Sequence, residues 1–273
     1  MDDALRARLH DLTLQARALL ATEIYDLLEG VYGLDRQGRF SPAAGLPAVE
    51  TLDDARATRT RLESRLADEQ AAGLAAPAAL DKLVKETAFT HLNRLVAFKL
   101  LESRKLLRGT IDKGQDSNAF KLFVAEQPAE LARYEAGSLP QDALGEGPRD
   151  TAYRHFLLAQ CAAQAVYIRV LFDPDTLPSL LFPRPRVLAD LIGRLNSPAL
   201  VAAWQAGNEE TIGWVYQYFN EQEKAAVFER LNRGKKIEAA EIPAATQLFT
   251  PHWVVRALVQ NTLGRLWLQM HPD

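Results

Sequence analysis

The sequence predicts an all-α protein. Three observations carry that prediction: apolar residues recur at spacings of three and four along almost the whole chain, alternating strand patterns are nearly absent, and glycine and proline clusters fall where helices would end. No internal repeat is visible. At 273 residues, 48% hydrophobic and 25% charged, the chain has the composition of a soluble globular protein and room for one large or two smaller domains.

The first helix is read from Leu5, Leu9, Leu12, Ala16, Leu19, Leu20, Ile24, Leu27 and Leu28. It should end in "EGVYGLDRQGRFSPAAGLP", where Gly30, Gly33, Gly38, Pro42, Gly45 and Pro47 interrupt regular structure. An Arg-rich amphipathic stretch, "TLDDARATRTRLESRLADEQAAG", follows. Pro77 then opens the longest periodic segment, which Gly109 closes. After the loop "TIDKGQDSN", a helix is expected from Asn118 to about Tyr134. "EAGSLPQDALGEGPRD" is the most linker-like stretch, yet short enough for a surface loop.

Apolar helix resumes at Thr151, "FDPDTLPSLLFPRP" breaks it, and Pro185 can start a further short helix. In "GNEETIGWVYQYFNEQEKAAVFERLNRGKK", Asn208 suits an N-cap, Glu209 and Glu210 the positive end of the helix dipole, and Arg230 and Arg233 the negative end. Ile212, Val215, Tyr216, Phe219, Val227 and Phe228 would form its inward stripe. Near the end of the chain, Thr250 can cap a last helix that Pro251 begins, and Trp253, Val254, Leu258, Val259 and Leu263 give it an apolar face.

Formal net charge is −3, so nothing global argues for binding nucleic acid or an anionic membrane. The distribution is uneven. Asp81 to Lys113 holds eight Lys/Arg against four acids, a local +4, whereas the first eighty residues hold nine Arg against thirteen acids, a local −4. Such patches either orient a protein on a partner or are simply solvated helix faces. The single cysteine, Cys161, excludes an internal disulfide and sits at an apolar helical position as a small buried side chain. No apolar run is long enough to span a membrane, and "MDDALRARLH" lacks a signal-peptide core, so a soluble cytoplasmic protein is expected.

Catalytic patterns are missing. The five histidines (10, 91, 155, 252 and 271) show no metal-ligand spacing, and His91 and His155 read as satisfied or half-exposed helix residues. "GEG" at Gly145–Gly147 follows no strand. "GKK" at Gly234–Lys236 lacks the rest of a phosphate loop, and "NSPAL" has one proline where an amino-methyltransferase would show Asn-Pro-Pro-aromatic. The expectation is no catalytic residue and no metal site in this chain.

Three blocks nevertheless resemble one family. "IPAATQLFTPHWVVRALVQNTLGRLWLQMHPD" resembles the segment leading into the catalytic domain of the PglX-type adenine-specific DNA methyltransferases of BREX phage-defence systems. "VKETAFTHLNRLVAFKLLE" is similar to that family's helical block with an Asn-Arg pair, here Asn93–Arg94. "EETIGWVYQYFNEQEKAAVF" is similar to its Gly-Trp-aromatic block, here Gly213, Trp214, Tyr216 and Tyr218. Order and approximate spacing agree over essentially the whole chain, with Gln127 to Leu200 matching only loosely.

The resemblance implies a helical N-terminal domain over residues 1–243, followed at 244–273 by the first helix of an α/β methyltransferase domain whose remaining motifs would lie beyond Asp273. It implies S-adenosylmethionine as the parent's cofactor, with Thr250 and Pro251, and Phe249 beside them, on a partial pocket. A capped helix N-terminus offers N–H groups, a hydroxyl and a positive dipole end to a carboxylate, so Thr250 can serve as cap and pocket residue alike. Double-stranded DNA would be the parent's substrate. Lys99, Arg104, Lys105 and Arg108 on the basic segment are the candidate phosphate contacts. The alternative is a non-catalytic module that docks other defence-system proteins, its acidic and basic faces pairing between proteins.

Overall fold

The computed structural model describes residues 1–136, 146–237, 242–246, 250 and 252–272. Its regular structure is helical. Among the described residues, the one strand-like feature is an isolated antiparallel bridge between Leu34 and Phe40.

Helix α1 (Asp3–Tyr32) begins where the Asp2 carboxylate accepts the Leu5 N–H at 2.7 Å. It runs through Gly30 and stops at Gly33, whose φ of 68° lets the chain turn in the left-handed region. A β-carbon there would lie 2.3 Å from Ser41 Oγ and 2.7 Å from Leu46 Cδ1, so the turn also depends on glycine for space. Short α2 (Pro47–Thr51) leads into α3 (Asp53–Ala71). Arg59 of α3 pins the turn, donating to the carbonyls of Tyr32 at 3.1 Å and Ser41 at 2.6 Å.

Helix α4 (Ala76–Ser103) is the centre of the molecule. Every residue from His91 to Phe98 is buried, because α1, α3 and later helices surround it. It ends before Gly109: the chain turns at Arg104–Leu107, with Lys105 at a φ of 60°. After a 3₁₀ turn at Gly114–Asp116 come α5 (Asn118–Glu126) and α6 (Pro128–Ala136). The single helix expected here is two, because Pro128 cannot donate the hydrogen bond that would continue α5. Of the expected linker, residues 137–145 lie outside the described residues.

Helix α7 (Pro148–Ala165) buries Tyr153, Phe156 and Cys161, and is followed by α8 (Arg169–Phe172), α9 (Leu177–Leu180), α10 (Pro185–Leu195) and α11 (Val201–Trp204). The expected aromatic helix is again two, α12 (Thr211–Phe219) and α13 (Glu221–Asn232), separated at Asn220. Asn208 does not cap it by its side chain, whose amide donates to the Ala202 carbonyl at 2.8 Å; the hydroxyl of Thr211 takes the Asn208 carbonyl instead. Val215, Phe219 and Val227 face inward as expected, while Ile212 and Phe228 are exposed. Short α14 (Ile242–Thr246) precedes α15 (His252–Val259), which passes through a π-helical turn at Gln260–Gly264 into α16 (Arg265–Met270).

Candidate functional site

The three sequence blocks singled out above take different places. Arg94, of the Asn-Arg pair, is buried on α4. Its guanidinium donates through Nε to the Leu171 carbonyl (2.7 Å), through Nη1 to Ser179 Oγ (2.8 Å) and through Nη2 to the Asp173 carbonyl (2.9 Å). One planar fork thus ties the proline-broken segment around α8 and α9 to α4. Asn93 turns its amide back to the Phe89 carbonyl four residues earlier. Neither residue faces solvent, so this block is architectural.

His91, one turn away, donates its Nε2–H to the Leu181 carbonyl at 3.0 Å. Burial, and Arg94 beside it, lower its pKa to about 3, so the ring is neutral at physiological pH. Cys161 is equally inert: burial pushes its thiol up to about 11, leaving no thiolate at neutral pH.

The other two blocks meet. Glu210, immediately before α12, accepts the indole N–H of Trp214 on Oε2 at 3.3 Å and the backbone N–H of His252 on Oε1 at 3.2 Å. The first turn of α15 is therefore tied to the aromatic block by one carboxylate, which also complements the helix dipole. Trp214 stacks on Tyr218 (5.6 Å between centroids, 24° between planes), and the Arg6 guanidinium lies 5.5 Å from its ring. The Gly207 N–H, with Arg104 and His252 nearby, holds the Glu209 carboxyl below the usual carboxylate range.

Thr250 is exposed just ahead of α15, while Phe249 and Pro251 lie outside the described residues. Beyond it the apolar face expected from the sequence is largely uncovered: Trp253 is 71% exposed, Leu258 60%, Val259 48% and Leu263 65%, with Val254 half-buried; Trp267 further on is 63% exposed. The described residues around Thr250 do not close a pocket.

The four candidate phosphate contacts are not brought together. Lys99 is turned inward, its ammonium 2.9 Å from Glu102 Oε1 and 2.6 Å from Asn196 Oδ1. Arg104 is partly buried near Glu209, and its Nε and Nη2 have no hydrogen-bond partner among the described residues. Lys105 and Arg108 are exposed. The remaining basic charge of α4 is largely answered inside the fold, by Lys82 on Glu69 at 2.8 Å and Lys85 on Glu223 at 3.1 Å. Pairs of both polarities, Lys82 on Glu69 and Arg65 on Glu86, thus join α3 to α4, and Lys85 joins α4 to α13. Sequence reasoning missed the tethering role of Glu210, because nothing in the local pattern distinguishes it from a first-turn acid. Among the described residues, no group of three or more His, Cys, Asp or Glu could hold a metal ion, and no helix is long and apolar enough to cross a membrane.

No family model matches the chain. It is 36% identical over 202 residues to the adenine-specific methyltransferase BrxX of Escherichia coli O9:H4 (strain HS), a match covering 70% of this chain and 16% of that protein. It is 32% identical over 209 residues to the adenine-specific methyltransferase PglX of Lacticaseibacillus casei (strain Zhang), covering 71% of this chain and 17% of the relative. The matched part is about a sixth of the length of either relative.

Proposed function

We propose, from the homology of this chain to a segment of adenine-specific methyltransferases, that it is the helical N-terminal region of a DNA adenine-N6 methyltransferase of a BREX-type phage-defence system. The 36% identity over 202 residues carries the reading. The exposed apolar face of α15 and α16 agrees with it, since a helix of this kind belongs against another surface. Residues 1–243 form the helical domain, and residues 244–273 open the methyltransferase domain.

The parent enzyme moves a methyl group from S-adenosylmethionine to the exocyclic amine of adenine in double-stranded DNA, in the cytoplasm. Reaching that amine requires the base to leave the stack and enter a pocket. Thr250, exposed at the start of α15, contributes one edge of the cofactor site, so the chain by itself binds the cofactor very weakly and transfers no methyl group. Glu210 is the positioning residue, holding α15 against Trp214.

The test is the mass of the native protein, captured from its source cells with an antibody against this chain. A mass several-fold above 30.4 kDa is expected. A mass near 30.4 kDa would overturn the reading.

One observation favours an additional docking role toward other defence-system proteins. Val166 and Tyr167, just after α7, and Val170 on α8 are 82%, 81% and 95% exposed within five residues of chain, where apolar residues on a surface are normally scattered. If this patch docks a partner, Tyr167→Glu with Val170→Glu releases the partner from the complex and leaves methylation unchanged.

A further inference from the structure

A cavity between α7, α10 and the loop after α4 has no part in the reading above. Its volume is about 420 Å³, within the range of roughly 300–1,000 Å³ that small-molecule sites occupy. Leu188 and Ile192 of α10 and Tyr153 of α7 supply apolar lining, and Asp112 and Asp150 bring carboxylates to it.

The wall formed by the loop is held rigidly. The buried Glu102 carboxylate accepts the consecutive N–H groups of Thr110, Ile111 and Asp112 at 2.9, 3.0 and 3.2 Å. Lys99 clamps Glu102 to Asn196, and the Asn196 amide returns to the Ile111 carbonyl at 2.7 Å. The Tyr153 hydroxyl donates to the Thr110 carbonyl at 3.3 Å. Desolvating a Lys–Glu pair is costly, and here its outcome is one fixed loop geometry beside a cavity. Preformed walls of this kind spare a ligand the cost of ordering its site.

Gly193 is a second, independent sign. It lies inside α10 with a negative φ, and a β-carbon built there meets nothing within 4 Å. Helix interiors disfavour glycine by about 1 kcal/mol relative to alanine, and neither backbone conformation nor a close neighbour calls for it. What the missing side chain leaves is room, since Gly193 lines the cavity.

The charge at the cavity selects the ligand. Glu146 is committed to Arg154 at 2.8 Å. Asp112 and Asp150 then outnumber Lys113, and Gln115 orients Asp150 through a 2.6 Å hydrogen bond. We propose that this cavity binds a compact ligand joining a ring-sized apolar body to a protonated nitrogen. The body packs on Tyr153 and Ile192, and the cation meets Asp112 and Asp150. A free arylalkylamine and a peptide's aromatic-basic pair share this chemistry.

Ligand-observed NMR titration of the full chain tests it with four probes: phenethylamine, its neutral isostere 2-phenylethanol, anionic 3-phenylpropionate, and a capped Phe-Arg dipeptide amide. The amine should bind about tenfold more tightly than the alcohol, the energy of partly screened carboxylates, and the anion most weakly. Asp112→Asn with Asp150→Asn should erase that preference, and Gly193→Leu, which narrows the cavity, should weaken binding. Tighter binding of the dipeptide than of phenethylamine assigns a peptide segment, and the reverse assigns a metabolite. No binding by any probe, equal binding of amine, alcohol and anion, or undiminished binding by Gly193→Leu would each overturn the proposal. A thermal melt verifies that Gly193→Leu folds, and the surface aspartate pair decides the matter if it does not.

Discussion

Arg94 offers the sharpest test of how this fold is held together. Its three short hydrogen bonds end on the Leu171 carbonyl, the Asp173 carbonyl and Ser179 Oγ, all in the segment from α8 to α9. Arg94→Ala removes all three donors; the Asp173 carbonyl keeps the Thr176 and Ser179 hydroxyls, so the Leu171 carbonyl is the group left unsatisfied, at about 1–3 kcal/mol. The cavity left by the side chain adds roughly 1–3 kcal/mol, while the guanidinium's own desolvation cost disappears, so a net loss of about 3 kcal/mol follows. In a chain of this size each kcal/mol moves the melting temperature by about 2–4 °C, so calorimetry should record a fall of roughly 10 °C. Arg94→Lys keeps the charge but not the fork, and should recover less than half of that loss. Hydrogen exchange should show amides 169–181 losing protection first, ahead of α1. A melting point within about 2 °C of the original for Arg94→Ala, or loss of protection uniform across the chain, would refute the architectural role given to the Asn-Arg pair.

Other perturbations follow from the same geometry. His91 is held neutral with its pKa near 3, whereas the unfolded chain takes up that proton near about 6.5. Stability should therefore be complete above that value and fall on acidification at up to about 1.4 kcal/mol per pH unit, roughly 2 kcal/mol by pH 5. Urea titrations of His91→Gln should lack this slope. Gly33→Ala meets both a φ of 68° and Ser41 Oγ at 2.3 Å, and should cost about 2 kcal/mol by chemical denaturation. In the parent enzyme, Lys105→Glu with Arg108→Glu should weaken DNA binding alike for all sequences and shorten the salt slope by about 2. Gel shifts unchanged in that pair remove the phosphate contact from this helix end.

The helical class was legible because burial follows spacing: Leu5, Leu9, Leu12, Ala16, Leu20, Ile24, Leu27 and Leu28 all enter the core. Helix breaks were less legible. Pro128 could have been read as an N1 proline, but no glycine or proline marks the break at Asn220 between α12 and α13. Charge misled most. Lys99 belongs to a basic run in sequence, yet its partners are Glu102, three residues on, and Asn196, which only the tertiary fold brings near. The cavity beside Tyr153 was invisible for the same reason, as its walls come from segments about eighty residues apart. A helix after Thr250 was legible in its apolar spacing, but not its tether, because Glu210 and His252 are far apart along the chain.

That tether bears on the last prediction. From His252 to Met270 the chain is helical and largely exposed, with Trp253, Leu258, Leu263, Leu266 and Trp267 each more than half accessible. Helices that lack a packed face are marginal in water even at this length, and one hydrogen bond from Glu210 adds only about 1 kcal/mol. The π-helical turn at Gln260–Gly264 weakens the segment further. In the 273-residue chain, amides beyond His252 should therefore exchange with an opening free energy of about 0–1 kcal/mol, while α4 exchanges only with global unfolding. If this segment opens a methyltransferase domain, the same amides in the parent enzyme become protected to the level of a core helix, because the apolar side chains then have a surface to cover. Protection equal to that of α4 in the short chain would mean the helix finds its partner within these residues. Absence of protection in the parent would detach it from the catalytic domain.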